Sequence, residues 1–108
     1  MDEARLPAHL EISALIRRVD SAGGFATVIA RGERDSGTIM IVTCEKGRNF
    51  RAWERMPQAD GSRKWTPIKA DDPENPCAFT TFIDRRRQQD SDLWIVELDV
   101  AEPERFIG

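Results

Sequence analysis

A chain of 108 residues is long enough for one globular domain and too short for two. Hydrophobic residues make up 40% and charged residues 32%, a balance that excludes wholesale disorder, and no apolar run approaches the ~20 residues of a membrane span. The net charge of −3 argues against a general polyanion binder, yet it is unevenly placed: residues 1–45 carry −2, residues 46–69 carry +5 and residues 70–108 carry −6.

The N-terminal Met-Asp-Glu is not followed by a basic segment and an apolar one, so the expected compartment is the cytoplasm. There Cys44 and Cys77, far apart and outside any CxxC, are expected to be free, small, buried side chains. Residues 1–5 read as a polar tail. Pro7 suits the first turn of a helix, and Ile12, Leu15, Ile16 and Val19 then recur at i, i+3, i+4 and i+7 on one helical face. Gly23-Gly24 ends it, with Gly23 as a left-handed cap.

Phe25–Arg31 and Thr38–Glu45 read as strands, joined in a hairpin by the turn Gly32–Gly37. The second has apolar residues on both faces, with Ile39 and Ile41 opposite Met40, Val42 and Cys44. It should be central in its sheet. Lys46-Gly47 turns the chain into a third strand, Arg48–Met56. Asp60-Gly61 leads to a fourth, Arg63–Ile68, and Pro67 makes that one an edge.

Residues 70–76 are a Pro/Asp linker in which Asp72 or Asn75 offers an N-cap ahead of proline. A second helix runs to about Gln89 on the apolar face Phe79, Phe82 and Ile83. Arg85-Arg86-Arg87 in its last turn complement the helix dipole. Leu93–Val100 is the best strand in the chain. Trp94, Val96, Leu98 and Val100 share one face, and Leu93 and Ile95 the other, so it too should be central. Residues 101–108 read as a loose tail whose Phe106-Ile107 folds back on the body.

The order α-β-β-β-β-α-β implies a single α+β domain over residues 1–108. It is a mainly antiparallel sheet of about five strands, with the two helices covering a face. Three groups of residues resemble a known family. They are Leu10–Arg18 with Gly23, then Arg31-Gly32-Glu33 with Ser36-Gly37, and Asp90-Ser91-Asp92-Leu93-Trp94-Ile95-Val96-Glu97. Together they resemble domain-of-unknown-function family 1491, small single-domain proteins typical of alphaproteobacteria, over residues 6–106. The family tends to read Asp-Pro-Asp-Leu-Trp, so Ser91 departs from it, as does His9 where isoleucine is common. The resemblance implies no activity, substrate or catalytic residue.

The residues that could carry chemistry fall into two groups. Arg51, Trp53 and Arg55 alternate on one strand face, with Arg63, Lys64 and Trp65 on the next strand. Bases stack on aromatic rings beside cations, so hairpin 48–68 is a candidate for single-stranded nucleic acid. The same residue types are enriched at protein interfaces, and the acidic C-terminal third is a complementary surface, in the same chain or in a second copy. Glu97 and Asp99 share a strand face about 7 Å apart, at ~3.4 Å per residue, and Asp90 and Asp92 precede them. That acidic cluster is a candidate for hydrolase-type acid–base work.

His9 is the only histidine, and with no paired cysteines a zinc site lacks its ligands. No glycine-rich phosphate loop is present. The sequence therefore implies no metal or cofactor. It favours a non-enzymatic domain that acts by protein–protein contact, self-association included. Nucleic-acid binding and hydrolysis are the alternatives.

Overall fold

The computed structural model describes residues 6–107. Its elements are α1 (Ala8–Ser21), β1 (Phe25–Ala30), β2 (Ile39–Glu45), β3 (Arg48–Pro57), β4 (Arg63–Ala70), α2 (Cys77–Gln89), β5 (Trp94–Asp99) and a 3-10 turn (Pro103–Phe106). The five strands form one sheet in the order β1-β5-β2-β3-β4. Three neighbouring pairs are antiparallel and one, β2 with β5, is parallel. The fold is thus α+β with a mainly antiparallel, mixed sheet.

The alternation along β5 decides the layers. Trp94, Val96, Leu98 and Val100 join Ile12, Leu15 and Val19 of α1 in one core. Leu93 and Ile95 join Phe79 and Ile83 of α2 in a second core on the opposite face. The helices therefore cover opposite faces and do not share one. β2 divides in the same way, Ile39 and Ile41 toward α1 and Met40 and Val42 toward α2.

Helix α1 stops in a Schellman motif. Gly24 N–H returns to the Val19 carbonyl at 3.0 Å and Gly23 N–H to that of Asp20 at 3.0 Å, with Gly23 at φ +84°. Lys46 and Gly47 both have positive φ, the type I′ turn that matches strand twist. Pro67 does lie in the edge strand β4. Pro76 immediately precedes α2, but no side chain caps that helix. Asp72 instead accepts the Glu74 N–H at 2.9 Å within the linker.

The expected β1–β2 hairpin does not form, because β5 lies between the two strands. A strand with large apolar side chains on both faces gains most from an interior place, with a neighbour on each side. The link of residues 31–38 arches over the start of β5 instead of closing a tight turn. The C-terminal stretch is docked, not loose, as far as Ile107. Pro103 and Phe106 are buried, and the guanidinium of Arg18 lies 5.4 Å from the Phe106 ring centre. Residues 1–5, expected to be a tail, lie outside the described residues. Among the described residues, no helix is long and apolar enough to cross a membrane.

Candidate functional site

The basic hairpin keeps the alternation expected of it, but its inner face is covered. Trp53 is only 9% exposed, in the α1-side core, and its indole N–H donates to Thr43 Oγ1 at 2.9 Å. The idea that Trp53 is a surface platform is thereby corrected. A large ring opposite α1 gains more from burial than a strand edge could offer it. Arg51 lies 3.4 Å from Glu104, and Arg55 pairs with Glu11. The Arg55 guanidinium also covers the half-buried ring of Trp65 at 4.5 Å. These two arginines meet carboxylates of their own chain. Arg63 and Lys64 remain exposed on β4. With Trp53 and Trp94 buried and Trp65 beneath Arg55, the tryptophans do not form a stacking surface for bases.

The four acidic residues do not form one cluster. Asp90 and Asp92 precede β5, where Asp90 Oδ1 accepts the Asp92 N–H at 3.0 Å. Glu97 and Asp99 lie at the other end of the strand, on its α2 side. Asp99 accepts the N–H groups of Lys46 and Gly47 at 2.7 and 3.2 Å. It holds the β2–β3 turn by charge-assisted hydrogen bonds. No group of three or more His, Cys, Asp or Glu residues suited to a metal ion occurs among the described residues.

Glu97 is the exception. It is half-buried beside Val42 in the β2–β5 register, and no hydrogen bond or ion pair reaches its carboxylate among the described residues. Burial, and then the charge of Asp99, raise its carboxyl above the ordinary glutamate range. It lines a cleft of about 430 Å³ with Ile29, Val42, Phe50, Phe79 and Ile83. Phe79 and Ile83 were visible in the sequence as the apolar face of α2. The linker aspartates Asp71 and Asp72, which also line the cleft, read there only as linker residues, with Asp72 a candidate N-cap. A second cleft, of about 410 Å³, contains Glu11, Asp35, Glu54, Arg55 and Arg63, but its carboxylates already meet Arg55, Arg34 and Arg86.

The most distinctive sequence motifs meet at a different place. A Cβ on Gly32 or Gly37 would collide with the carbonyl oxygen of Asp92, so these two glycines let the 31–38 link lie flat on the start of β5. Glu33 N–H donates to the Asp92 carbonyl at 3.0 Å, and Trp94 N–H to that of Thr38 at 2.8 Å. The Glu33 carboxylate accepts the N–H groups of Ser36 and Asp35 at 2.7 and 3.0 Å. These bonds, led by Ser36, hold its carboxyl below the usual range. The carbonyls of Arg34 and Asp35 accept the first-turn N–H groups of His9 and Ala8 at 2.9 and 3.0 Å, which supplies what a side-chain cap would otherwise provide. The motif residues join α1, β2 and β5. Their role is architectural.

The model of a family described as protein of unknown function (DUF1491) matches residues 6–108. A crystal structure of a DUF1491 family protein from Caulobacter crescentus is similar at a TM-score of 0.78 and 25% identity, over 94% of each chain. An NMR structure of a DUF1491 family protein from the same organism gives 0.77 and 24%, over 97% of this chain and 94% of that one. The solution structure of protein Atu0922 from A. tumefaciens gives 0.74 and 28%, over 96% and 93%. Among curated proteins, none matches.

Proposed function

The chain belongs to the DUF1491 family, and since that family supplies no activity, we propose from the geometry that it is a cytoplasmic protein-interaction domain that pairs with a second copy through the free edge of β1. The single observation that carries this reading is the contrast between the two sheet edges. β4 has Arg63, Lys64, Pro67 and Lys69 along eight residues, the charges and proline that protect an edge from pairing. β1 reads Phe-Ala-Thr-Val-Ile-Ala, with neither charge nor proline, and is bonded on one side only, to β5. Phe25 is 74% exposed, an unusual position for a phenyl ring on a monomer.

Antiparallel pairing of β1 with its copy is isologous, so one uncharged strand supplies both halves of the interface. Centred on Thr27, it sets that residue opposite its own copy and Phe25 opposite Ile29 of the second copy, side chains that share a face. The basic hairpin supports nucleic-acid binding less well, because Arg51 and Arg55 already meet carboxylates.

Size-exclusion chromatography with light scattering, across the micromolar range, tests the reading. A dimer is expected. Phe25→Lys with Thr27→Lys, both at exposed positions, should give a monomer whose melting temperature is not lowered below that of a dilute wild-type sample. A monomeric wild type, or a dimer that survives both lysines, rejects it.

A further inference from the structure

The α2 face of the sheet is only partly covered. Helix α2 is held over the β3–β4 side by Phe79 against Phe50, with ring centres 5.9 Å apart, and by Arg86 on Glu54 at 2.8 Å. Toward β5 and β1 the face stays open as the cleft of about 430 Å³, the size of a small organic ligand site. Its walls are apolar. Among the described residues its charged groups are the four carboxylates Asp71, Asp72, Asp84 and Glu97 and one cation, Arg87.

Three of those carboxylates, Asp71, Asp72 and Asp84, are exposed at the rim. Glu97 differs, because it rises from the sheet between Val42 and Thr27, its neighbours on β2 and β1. A half-buried carboxylate with no cation against it is costly wherever it stands. An isolated carboxylate in an apolar cleft, under an acidic rim, is complementary to a cation that also brings apolar surface. Anions are disfavoured there by the excess of negative charge.

We propose that this cleft binds a small organic cation, a primary ammonium on an apolar stem or ring, with the ammonium on Glu97 and the stem against Phe50, Phe79 and Ile83. The three elements that shape it, the sheet, α2 and the linker of residues 71–76, supply distinct parts of the recognition. The sheet presents the carboxylate, α2 the apolar wall and the linker the acidic rim. The site does not depend on the β1 pairing, and it can be tested whether the protein is a monomer or a dimer.

The experiment is a titration followed by amide chemical shifts, with 2-phenylethylammonium and n-hexylammonium as probes. Their neutral and anionic counterparts, 2-phenylethanol and 3-phenylpropionate, are the controls. Both ammonium compounds should shift the amides of Phe50, Phe79, Ile83 and Glu97 and saturate. The alcohol should bind at least about tenfold more weakly, and the carboxylate not at all. Glu97→Gln should remove that preference for the cation while leaving the alcohol unaffected. Thr80→Trp, at an exposed position on the lining, should close the cleft to every probe. The proposal is overturned if neither ammonium shifts the cleft, if the alcohol binds as well as the ammonium, or if Glu97→Gln leaves the cation preference intact.

Discussion

The indole N–H of Trp94 donates to the main-chain carbonyl of Glu33 at 2.6 Å, across 61 residues of chain. The same ring lies 5.4 Å from the guanidinium of Arg31 and within the α1-side core. One side chain therefore binds the link between β1 and β2 to the strand that separates them. Trp94→Phe keeps most of the apolar area and leaves the Glu33 carbonyl without this donor. It should cost about 1 kcal/mol, the usual net value of a hydrogen bond. Trp94→Ala should cost roughly 3–5 kcal/mol. Urea denaturation of the two variants gives both numbers, and a Trp94→Phe variant of unchanged stability would mean that the hydrogen bond contributes nothing.

Gly32→Ala tests the same junction from the other side. The added methyl would meet the backbone of Asp92 and Leu93, which is held by the strand and cannot rotate away as a side chain can. Overpacking of this kind costs about 1–3 kcal/mol. Gly61→Ala is the control. A methyl there meets nothing within 4 Å, so only its positive φ is penalised, by about 1 kcal/mol. Thermal melting should rank Gly32→Ala as the more damaging change.

The sequence was most legible where a pattern is local. The two-sided apolar run from Leu93 to Ile95 and the Pro67 edge both translate directly into places in the sheet. Strand neighbours are not local. Phe25–Ala30 and Ile39–Glu45 are consecutive, which favours pairing them, and only the better burial offered to β5 separates them. Trp53 was ambiguous for a similar reason. A tryptophan between two arginines looks the same whether it faces a partner or a helix. The carboxylates that settle its surroundings, Glu11 and Glu104, lie 44 and 53 residues from their arginines. The spacing alone makes Glu97 and Asp99 a pair. What separates their roles is the β2–β3 turn beneath Asp99, and no spacing within β5 encodes it.

Trp53→Ala should therefore act on the fold. It removes a large ring from the core and leaves Thr43, itself 1% exposed, without its indole donor. A loss of roughly 3–5 kcal/mol is expected, readable in chemical denaturation. A variant of unchanged stability would return Trp53 to the surface.

The two thiols should differ sharply. Cys44 is 1% exposed, and burial first, then the charges of Asp99 and Glu97, push it up to about 11. At neutral pH it is a protonated thiol with almost no nucleophilic thiolate. Cys77 is exposed at the start of α2, and neither cysteine is bonded. Ellman's reagent should find one fast thiol in the native protein and two after denaturation. Two fast thiols in the folded state would contradict the burial of Cys44.

Glu97 should make stability depend on pH with a sign opposite to that of most carboxylates. Its folded carboxyl is raised, so between the unfolded and folded values the native state binds more protons than the unfolded chain. Stability then falls as pH rises through that window. The contribution is fully present below the ordinary glutamate value of 4.5 and lost above the folded value. Glu97→Gln carries no charge at any pH and keeps the shape of the side chain. It should raise the melting temperature at neutral pH, and the gain should vanish below about pH 3.5, where glutamate is largely protonated in both states. Asp99→Asn separates the two causes. It removes the neighbouring charge and should lower the Glu97 value somewhat, yet it weakens the bonds that hold Lys46 and Gly47, so the protein should lose stability. If Glu97→Gln instead destabilises the domain at neutral pH, the carboxylate is satisfied within the chain, and its unpaired state in the cleft is refuted.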